Sequence, residues 1–482
     1  MIFLRLYDDA LAQASYLIGC ESSGSAVVID PNRDSSQYVA AAEARGLRIS
    51  AVTETHIHAD FVSGTRELAA RTGAVMYLSA AGPPEWQYEF GRERGVVLLE
   101  DRDTFQVGAI ELRAVHTPGH TPEHLSFLVT DTALAHEPMG IITGDFVFVN
   151  DVGRPDLLEK AAQQQGAAEP AARQLFRSLT WFKLLPDHLQ VWPGHGAGSA
   201  CGKGMSAVPQ STVGYERRFN WALGVLDEDD FVRQVLKGQP EPPRYFGEMK
   251  RMNREGPPLL GAISMPERVA ERRLAAILAS GAVVLDTRPA ADFASRHIPG
   301  TLNIPFNKSF PTWAGSLLPY DRDLYLIVDT ARAGVLDRVT QSLLMIGLDR
   351  VVRGYFGAET LELWGRDGGS FAKVPQLSVA ELAAKRHGLV VLDVRGRSEW
   401  DAGHIPGAVH VPLAELQDRL TEIPPDQPVA VHCQGGGRSA IAASVLEAAG
   451  RKEVSNVTGG FGEWLLAGLP TENTPLRDRT IS

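Results

Sequence analysis

The chain has 482 residues, too many for one hydrophobic core and enough for roughly two to four domains. Its 44% hydrophobic and 22% charged content is ordinary for a globular protein and excludes a disordered chain. A net charge of -11 argues against a nucleic-acid partner, whose phosphates demand clustered Lys and Arg.

Through the first 250 residues, short strands such as 25–29 and 49–53 alternate with hairpin-like segments and a few helices, and Gly- and Pro-rich loops carry most of the histidines. The stretch Arg251-Met-Asn-Arg-Glu-Gly-Pro-Pro is polar and ends in helix-breaking prolines, so it reads as a linker. Beyond it lies an internal repeat. Leu285-Asp-Thr-Arg, His297-Ile-Pro-Gly and Asn303-Ile-Pro match Leu392-Asp-Val-Arg, His404-Ile-Pro-Gly and His410-Val-Pro without a gap. Gly354-Tyr-Phe-Gly and Gly459-Gly-Phe-Gly correspond at almost the same offset, so each copy is of domain size rather than a solenoid unit. In each copy a short β-branched strand (282–285 and 389–392) leads to a turn, a polar helical stretch and another strand, the order of α/β packing on a parallel sheet. Three domains are expected: 1–250, 265–374 and 375–482.

No apolar run is long enough to span a bilayer, and the opening Met1-Ile-Phe-Leu-Arg-Leu-Tyr-Asp-Asp lacks a signal peptide's apolar core, so neither membrane nor export is expected. Cys20, Cys201 and Cys433 lie far apart and form no CxxC pair, which argues against a disulfide framework or a cysteine zinc site and fits a reducing cytoplasm.

In the first domain, Thr55-His56-Ile-His58-Ala-Asp60-Phe61 follows an apolar strand and precedes a helix-like stretch, so its ligating side chains project from one turn. His120 in His116-Thr-Pro-Gly-His120, Asp145 in Thr143-Gly-Asp145 and His195 in Pro193-Gly-His195-Gly each sit beside glycine or proline, where backbone can turn tightly around an ion. This ordered set resembles the ligand pattern of the metallo-β-lactamase superfamily over residues 1 to about 250, which implies an αββα sandwich and, in its hydrolases, two zinc ions bridged by Asp145. Where a binuclear hydrolase continues with histidine, position 61 is Phe, which has no lone pair, so one metal ion is favoured. Two histidines and a carboxylate with open faces suit a non-haem iron(II) oxygenase.

Gly153-Arg-Pro-Asp-Leu, Gly196-Ala-Gly-Ser-Ala-Cys-Gly-Lys and Tyr215-Glu-Arg-Arg-Phe-Asn resemble the persulfide dioxygenase branch of that superfamily. The resemblance implies one Fe(II) per chain on His56, His120 and Asp145, with His58, Asp60 and His195 orienting those ligands or binding water, and association into a homo-oligomer through the first domain. His116 has the spacing of a fourth ligand, but the family pattern does not use it. Arg154 and Tyr215 are candidates to hold the substrate's anionic or thiol-carrier end.

In the last domain, Val431-His-Cys433-Gln434-Gly435-Gly436-Gly437-Arg438-Ser lies between an apolar strand and the helical run Ala440-Ile-Ala-Ala-Ser-Val-Leu. The cysteine is therefore at a helix N-terminus, where loop N–H groups, the helix dipole and Arg438 favour a thiolate. The loop resembles the rhodanese family, which implies that Cys433 carries a sulfane sulfur cradled by Gln434, Gly435, Gly436 and Gly437. Four residues separate Cys433 from Arg438, one fewer than in related phosphatases, so the ring suits sulfur better than phosphate. The equivalent stretch of the first copy, Ile327-Val-Asp329-Thr330-Ala-Arg332-Ala-Gly334-Val, has no cysteine and cannot carry sulfur covalently.

The expectation is an enzyme that oxidises a low-molecular-weight thiol persulfide with O2 to sulfite and thiol and moves sulfane sulfur through Cys433, making thiosulfate or running in reverse, in sulfide detoxification. A zinc thioesterase of the glyoxalase II type with an accessory sulfurtransferase, and a non-catalytic sulfur carrier, are the readings from other classes.

Overall fold

The computed structural model describes residues 1–160, 166–261 and 265–473; residues 161–165 of the first expected domain and 474–482 of the third lie outside the described residues. The chain divides into two compact units, Met1–Ile263 with Leu344–Gly347, and Ser264–Leu343 with Leu348–Ser482. No helix among the described residues is long and apolar enough to cross a membrane.

The first unit holds two sheets of six strands. In one, Ile2–Asp8, Gln13–Cys20 and Ser25–Ile29 pair antiparallel, and Ser25–Ile29, Arg48–Thr53, Val75–Ser79 and Val96–Leu99 pair parallel. The other runs Ser211–Thr212, Gln190–Pro193, Gly140–Gly144, Leu125–Asp131, Ile110–His116, Thr104–Val107. Strand alternation sets the layers. Tyr16, Ile18, Val27 and Ile29 point between the sheets against Leu112, Phe127, Val129 and Trp192. Leu17, Val28 and Val52 point the other way, onto Tyr38 of helix Ser35–Glu43 and Leu68 of helix Thr65–Thr72. On the far side of the second sheet, Ile141 and Val191 meet Leu175, Leu179 and Phe182 of helix Ala168–Phe182 and Phe231 of helix Glu228–Leu236. Apolar residues on both faces of a strand require cover on both faces, and the result is the expected αββα sandwich.

Parallel pairing then gathers the loops. Ser25–Ile29 and Arg48–Thr53 end on the same side, delivering Asp30 and the His56 loop, and Gly140–Gly144 and Gln190–Pro193 do the same for Asp145 and His195.

Residues 251–255, read from sequence as the start of a linker, are instead the end of helix Phe246–Glu255. Its Phe246, Met249, Met252 and Asn253 are buried, and the prolines act only after Gly256 has ended the helix. A polar composition concealed a three- and four-residue apolar spacing.

The second unit contains two parallel sheets. One runs Leu302–Asn303, Val283–Asp286, Leu324–Val328, Val352–Gly357; the other runs Gln376–Leu377, Val454–Val457, Val429–His432, Val390–Asp393, Val409–His410. The shared strand order is the structural form of the sequence repeat. Each copy also holds the same ion pair at the end of the corresponding strand, Val283–Asp286 or Val390–Asp393: Arg288 on Asp286 and Arg395 on Asp393.

Candidate metal centre and cysteine loop

The turn carrying His56 and His58 is fixed from beneath. Asp30 accepts from Thr55 N at 2.6 Å and from the Thr55 hydroxyl at 3.0 Å, and Glu123 accepts from Ile57 N at 2.9 Å. Asn253 accepts from Ser63 N and donates to the carbonyls of His58 and Phe61, each at 2.8 Å. Gly153 is required by close approach, since a Cβ there would lie 1.8 Å from the carbonyl oxygen of Asp145.

These constraints bring His56, His120 and Asp145 together, with one ligand atom of each within 4.8 Å of the others. His56 Nε2 is 3.9 Å and His120 Nε2 3.5 Å from Asp145 Oδ2. The opposite ring nitrogens are occupied: His56 Nδ1 is 2.9 Å from the Thr55 hydroxyl and His120 Nδ1 3.2 Å from the Arg154 carbonyl, which leaves both Nε2 lone pairs facing the carboxylate. Burial holds His56 well below the usual imidazole range and takes His120 down to about 3, so both are neutral, the ligating form. Burial also raises Asp145 to about 6, against the opposing pull of His195.

A second group adjoins the first. His195 Nε2 lies 3.3 Å from Asp60 Oδ2 and 3.4 Å from Asp145 Oδ1, with His195 Nδ1 3.1 Å from the Ala12 carbonyl. The ligand atoms of Asp60, His195 and Cys201 fall within 4.8 Å of one another. Cys201 is the member that sequence reasoning missed; burial, then the carboxylates of Asp145 and Asp60, push its thiol well above the ordinary value. Both Asp145 carboxylate oxygens and Asp60 Oδ2 are buried without a hydrogen-bond donor among the described residues. Orphaned carboxylate oxygens facing neutral imidazoles fit a divalent cation.

His58 stands outside both groups. Its Nε2 is 3.1 Å from Asp30 Oδ1, and although burial opposes the charge, Asp30 raises it to about 9, an imidazolium. Phe61 is fully buried, its ring 4.4 Å from that of His58. His124, also missed, accepts from Asp145 N at 3.2 Å and stacks on His56; only its place four residues after His120 hinted at it. His116 ends its strand with Nε2 2.8 Å from the Pro122 carbonyl.

Arg154 is corrected by its surroundings. Its guanidinium is fully buried, chelates Asp156, and donates to the carbonyls of Ala200 and Pro240, so it is a scaffold whose own carbonyl orients His120 rather than a group turned toward an anionic substrate. Tyr215 is 45% exposed and lines a cavity of about 400 Å3 with Asn150 and Gln190, whose walls include none of the metal-centre side chains.

Residues 8–195 match the metallo-beta-lactamase superfamily and residues 271–355 and 378–467 the rhodanese-like domain. The solved metallo-beta-lactamase of Staphylococcus aureus subsp. aureus COL is 40% identical, with a TM-score of 0.66, over 74% of this chain and 98% of that one. The chain belongs to the metallo-beta-lactamase superfamily. It is an enzyme of that type extended by two rhodanese-like domains. Among curated relatives, the mitochondrial persulfide dioxygenase ETHE1 of Bos taurus is 27% identical over 241 residues, covering 49% of this chain and 81% of that protein. The hydroxyacylglutathione hydrolase of Methylococcus capsulatus is 32% identical over 181 residues, covering 37% and 60%.

In the second rhodanese-like domain, strand Val429–His432 delivers Cys433 to the N-terminus of helix Gly437–Ala448. The sulfur accepts from Gly436 N at 3.1 Å and from the Ser439 hydroxyl at 3.5 Å. Gly436 makes the turn at φ 97°, left-handed backbone that favours glycine. Burial raises the thiol, but the Ser439 and loop N–H hydrogen bonds outweigh it, leaving Cys433 below the ordinary thiol value. Arg438 chelates Glu399 at 2.6 and 2.7 Å and shares with Cys433 the wall of a cavity of about 830 Å3. In the first rhodanese-like domain the residue that follows the corresponding strand, Leu324–Val328, is Asp329.

Proposed function

We propose that the chain oxidises a low-molecular-weight thiol persulfide with O2 at a single iron(II) and exchanges sulfane sulfur through Cys433. One persulfide, one O2 and one water give one thiol and sulfite. The observation that carries the reading is the ligand set: His56, His120 and Asp145 converge, an arrangement of non-haem iron oxygenases, while His58 is tied to Asp30 and Phe61 has no lone pair. The relative named a persulfide dioxygenase supports it.

Iron held by His56, His120 and Asp145 would supply the redox chemistry. The chain's own residues prepare that site. Thr55 and the Arg154 carbonyl set the tautomers of His56 and His120. The buried His58–Asp30 pair anchors the loop, and Asp60 and His195 border the carboxylate, placed to orient water or substrate. At the other site, Cys433 as a persulfide donates its outer sulfur to sulfite, forming thiosulfate and regenerating the thiolate, or runs in reverse. All three cysteines are free thiols, which fits a reducing cytoplasm.

A second reading, a zinc thioesterase, is favoured by one observation: Asp60, His195 and Cys201 offer a second ligand set beside the first, and Cys201 supplies the lone pair that Phe61 lacks. Metal content and O2 uptake separate the two. About one iron per chain, persulfide-dependent O2 uptake lost in His56→Ala and kept in Cys433→Ala, is the expected result. O2 uptake surviving in His56→Ala, or two zinc ions per chain with no O2 uptake, overturns the proposal.

A further inference from the structure

The cavity at Cys433 is built from both rhodanese-like domains. Cys433, Gln434 and Arg438 form one side; Phe306, Trp313, Arg332 and Arg338 of the cysteine-less domain form another. At about 830 Å3 it has the size of a pocket for a ligand of drug-like bulk, whereas sulfite or thiosulfate is a handful of atoms.

The arginines of the cavity differ in their partners. Beside the sulfur, Arg438 is neutralised by a two-point contact with Glu399, and on the cysteine-less domain Arg288 likewise by Asp286. On the cysteine-less domain, Arg338 makes only a 3.5 Å contact with the Ala333 carbonyl and has no carboxylate partner among the described residues. Arg332 reaches Asp329 through Nε at 3.2 Å, with its side chain 66% exposed. Asp329 therefore occupies the place that Cys433 holds in the other copy and uses it to hold a guanidinium at the cavity. Trp313 and Phe306, both half-buried, add an apolar wall.

We infer that the cysteine-less domain is the specificity half of the sulfur-transfer site: Arg338 and Arg332 bind the anionic, non-reacting end of a low-molecular-weight persulfide whose sulfur lies at Cys433. This rests on the sulfur-transfer part of the proposed function and is independent of the iron. In the step served, the Cys433 thiolate attacks the outer sulfur of R–S–SH. A new S–S bond forms at Cys433, the bond within the donor breaks, and the departing R–S− takes up the donor's proton, with no net oxidation. A guanidinium fork suits phosphate or carboxylate, so the recognised chemistry is an anionic tail carried on an organic body long enough to reach across the cavity.

The test measures single-turnover persulfidation of Cys433 in the full-length protein with three donors: coenzyme A persulfide, bearing phosphates; glutathione persulfide, bearing carboxylates; and 2-mercaptoethanol persulfide, uncharged. Arg338→Ala should raise the half-saturating concentration of one or both anionic donors by about tenfold, the worth of one charge-assisted hydrogen bond, and leave the uncharged donor unchanged. Whichever anionic donor responds identifies phosphate or carboxylate. Arg338→Lys should restore part of the loss, and an unchanged melting temperature in both variants shows that folding is intact. Equal effects on all three donors, no effect on any, or no transfer from an anionic donor in the wild type overturns the inference. O2 uptake measured on the same samples reports on the iron reading separately, since its loss in the wild type would sink that reading without touching this one.

Discussion

Removing the Ser439 hydroxyl isolates one of the contacts that keep Cys433 ionised. The hydroxyl is fully buried and donates to the sulfur at 3.5 Å, beside the shorter Gly436 N contact at 3.1 Å. A hydrogen bond to a charged group is worth about 1.5–3 kcal/mol, and one pKa unit corresponds to about 1.4 kcal/mol. The long distance selects the lower end, so Ser439→Ala should raise the thiol pKa by about one unit and, below it, cut the thiolate fraction about tenfold. Alanine suits the helix that begins at Gly437, so the change does not disturb the backbone. The assay is the pH dependence of alkylation by iodoacetamide, read as the difference from Cys433→Ala. That subtraction matters because Cys20 also titrates low, at about 6, held there by the hydroxyls of Ser22 and Ser23 and by Ala109 N. Because the folded pKa of Cys433 is depressed, its ionisation stabilises the fold above the unfolded thiol value, and that contribution is lost as pH falls through the folded value. Ser439→Ala should therefore lose stability on the alkaline side and none in acid. An unchanged alkylation midpoint would refute the claim that Ser439 holds the thiol down.

Three further outcomes test the metal centre. Gly153→Ala would force a Cβ to within 1.8 Å of the Asp145 carbonyl oxygen, so the Asp145 backbone must shift and bound metal, measured by elemental analysis, should fall at least about tenfold. Asn253→Ala removes the donor to the carbonyls of His58 and Phe61 and should lower stability by about 1–3 kcal/mol per carbonyl left unsatisfied, seen as a lower melting temperature together with weaker metal binding. Cys201→Ser should leave metal stoichiometry unchanged if one ion is bound; a drop from two ions to one would instead assign the Asp60, His195, Cys201 group as an occupied zinc site.

The parts of the site legible in the sequence are those whose partners are near in sequence or whose motif repeats. His56 and its neighbours in one turn, the glycine-flanked Asp145 and His195, and the Gly-rich loop after Cys433 announce themselves because a strand must end before a tight turn can present a ligand. What stayed hidden is held by contacts between distant segments. Cys201 reads as an isolated cysteine until the loop after His195 folds back beside Asp60. Asn253 serves the His58 loop across 195 residues, from a helix that its polar composition disguised. Arg154 shows how charge misleads: an arginine near a metal motif suggests an anion site, but Asp156, two residues on, was already its partner.

The cysteine-less domain poses the same problem in sharper form. A missing cysteine states what a domain cannot do, and the cavity is the ground for the inference about what its place is used for. With no nucleophile at residue 329 there is no sulfur to cradle there, and the carboxylate in its place holds Arg332. Arg338 lies one helical turn past Gly334, inside helix Val335–Met345, so the strand, turn and helix that would present a nucleophile now present cations to the neighbouring copy's sulfur. On that argument the duplicated fold is retained because a sulfur-transfer site needs two walls, one to react and one to choose, and the second wall keeps its geometry only while its strands stay packed on Val284, Ile327 and Phe356.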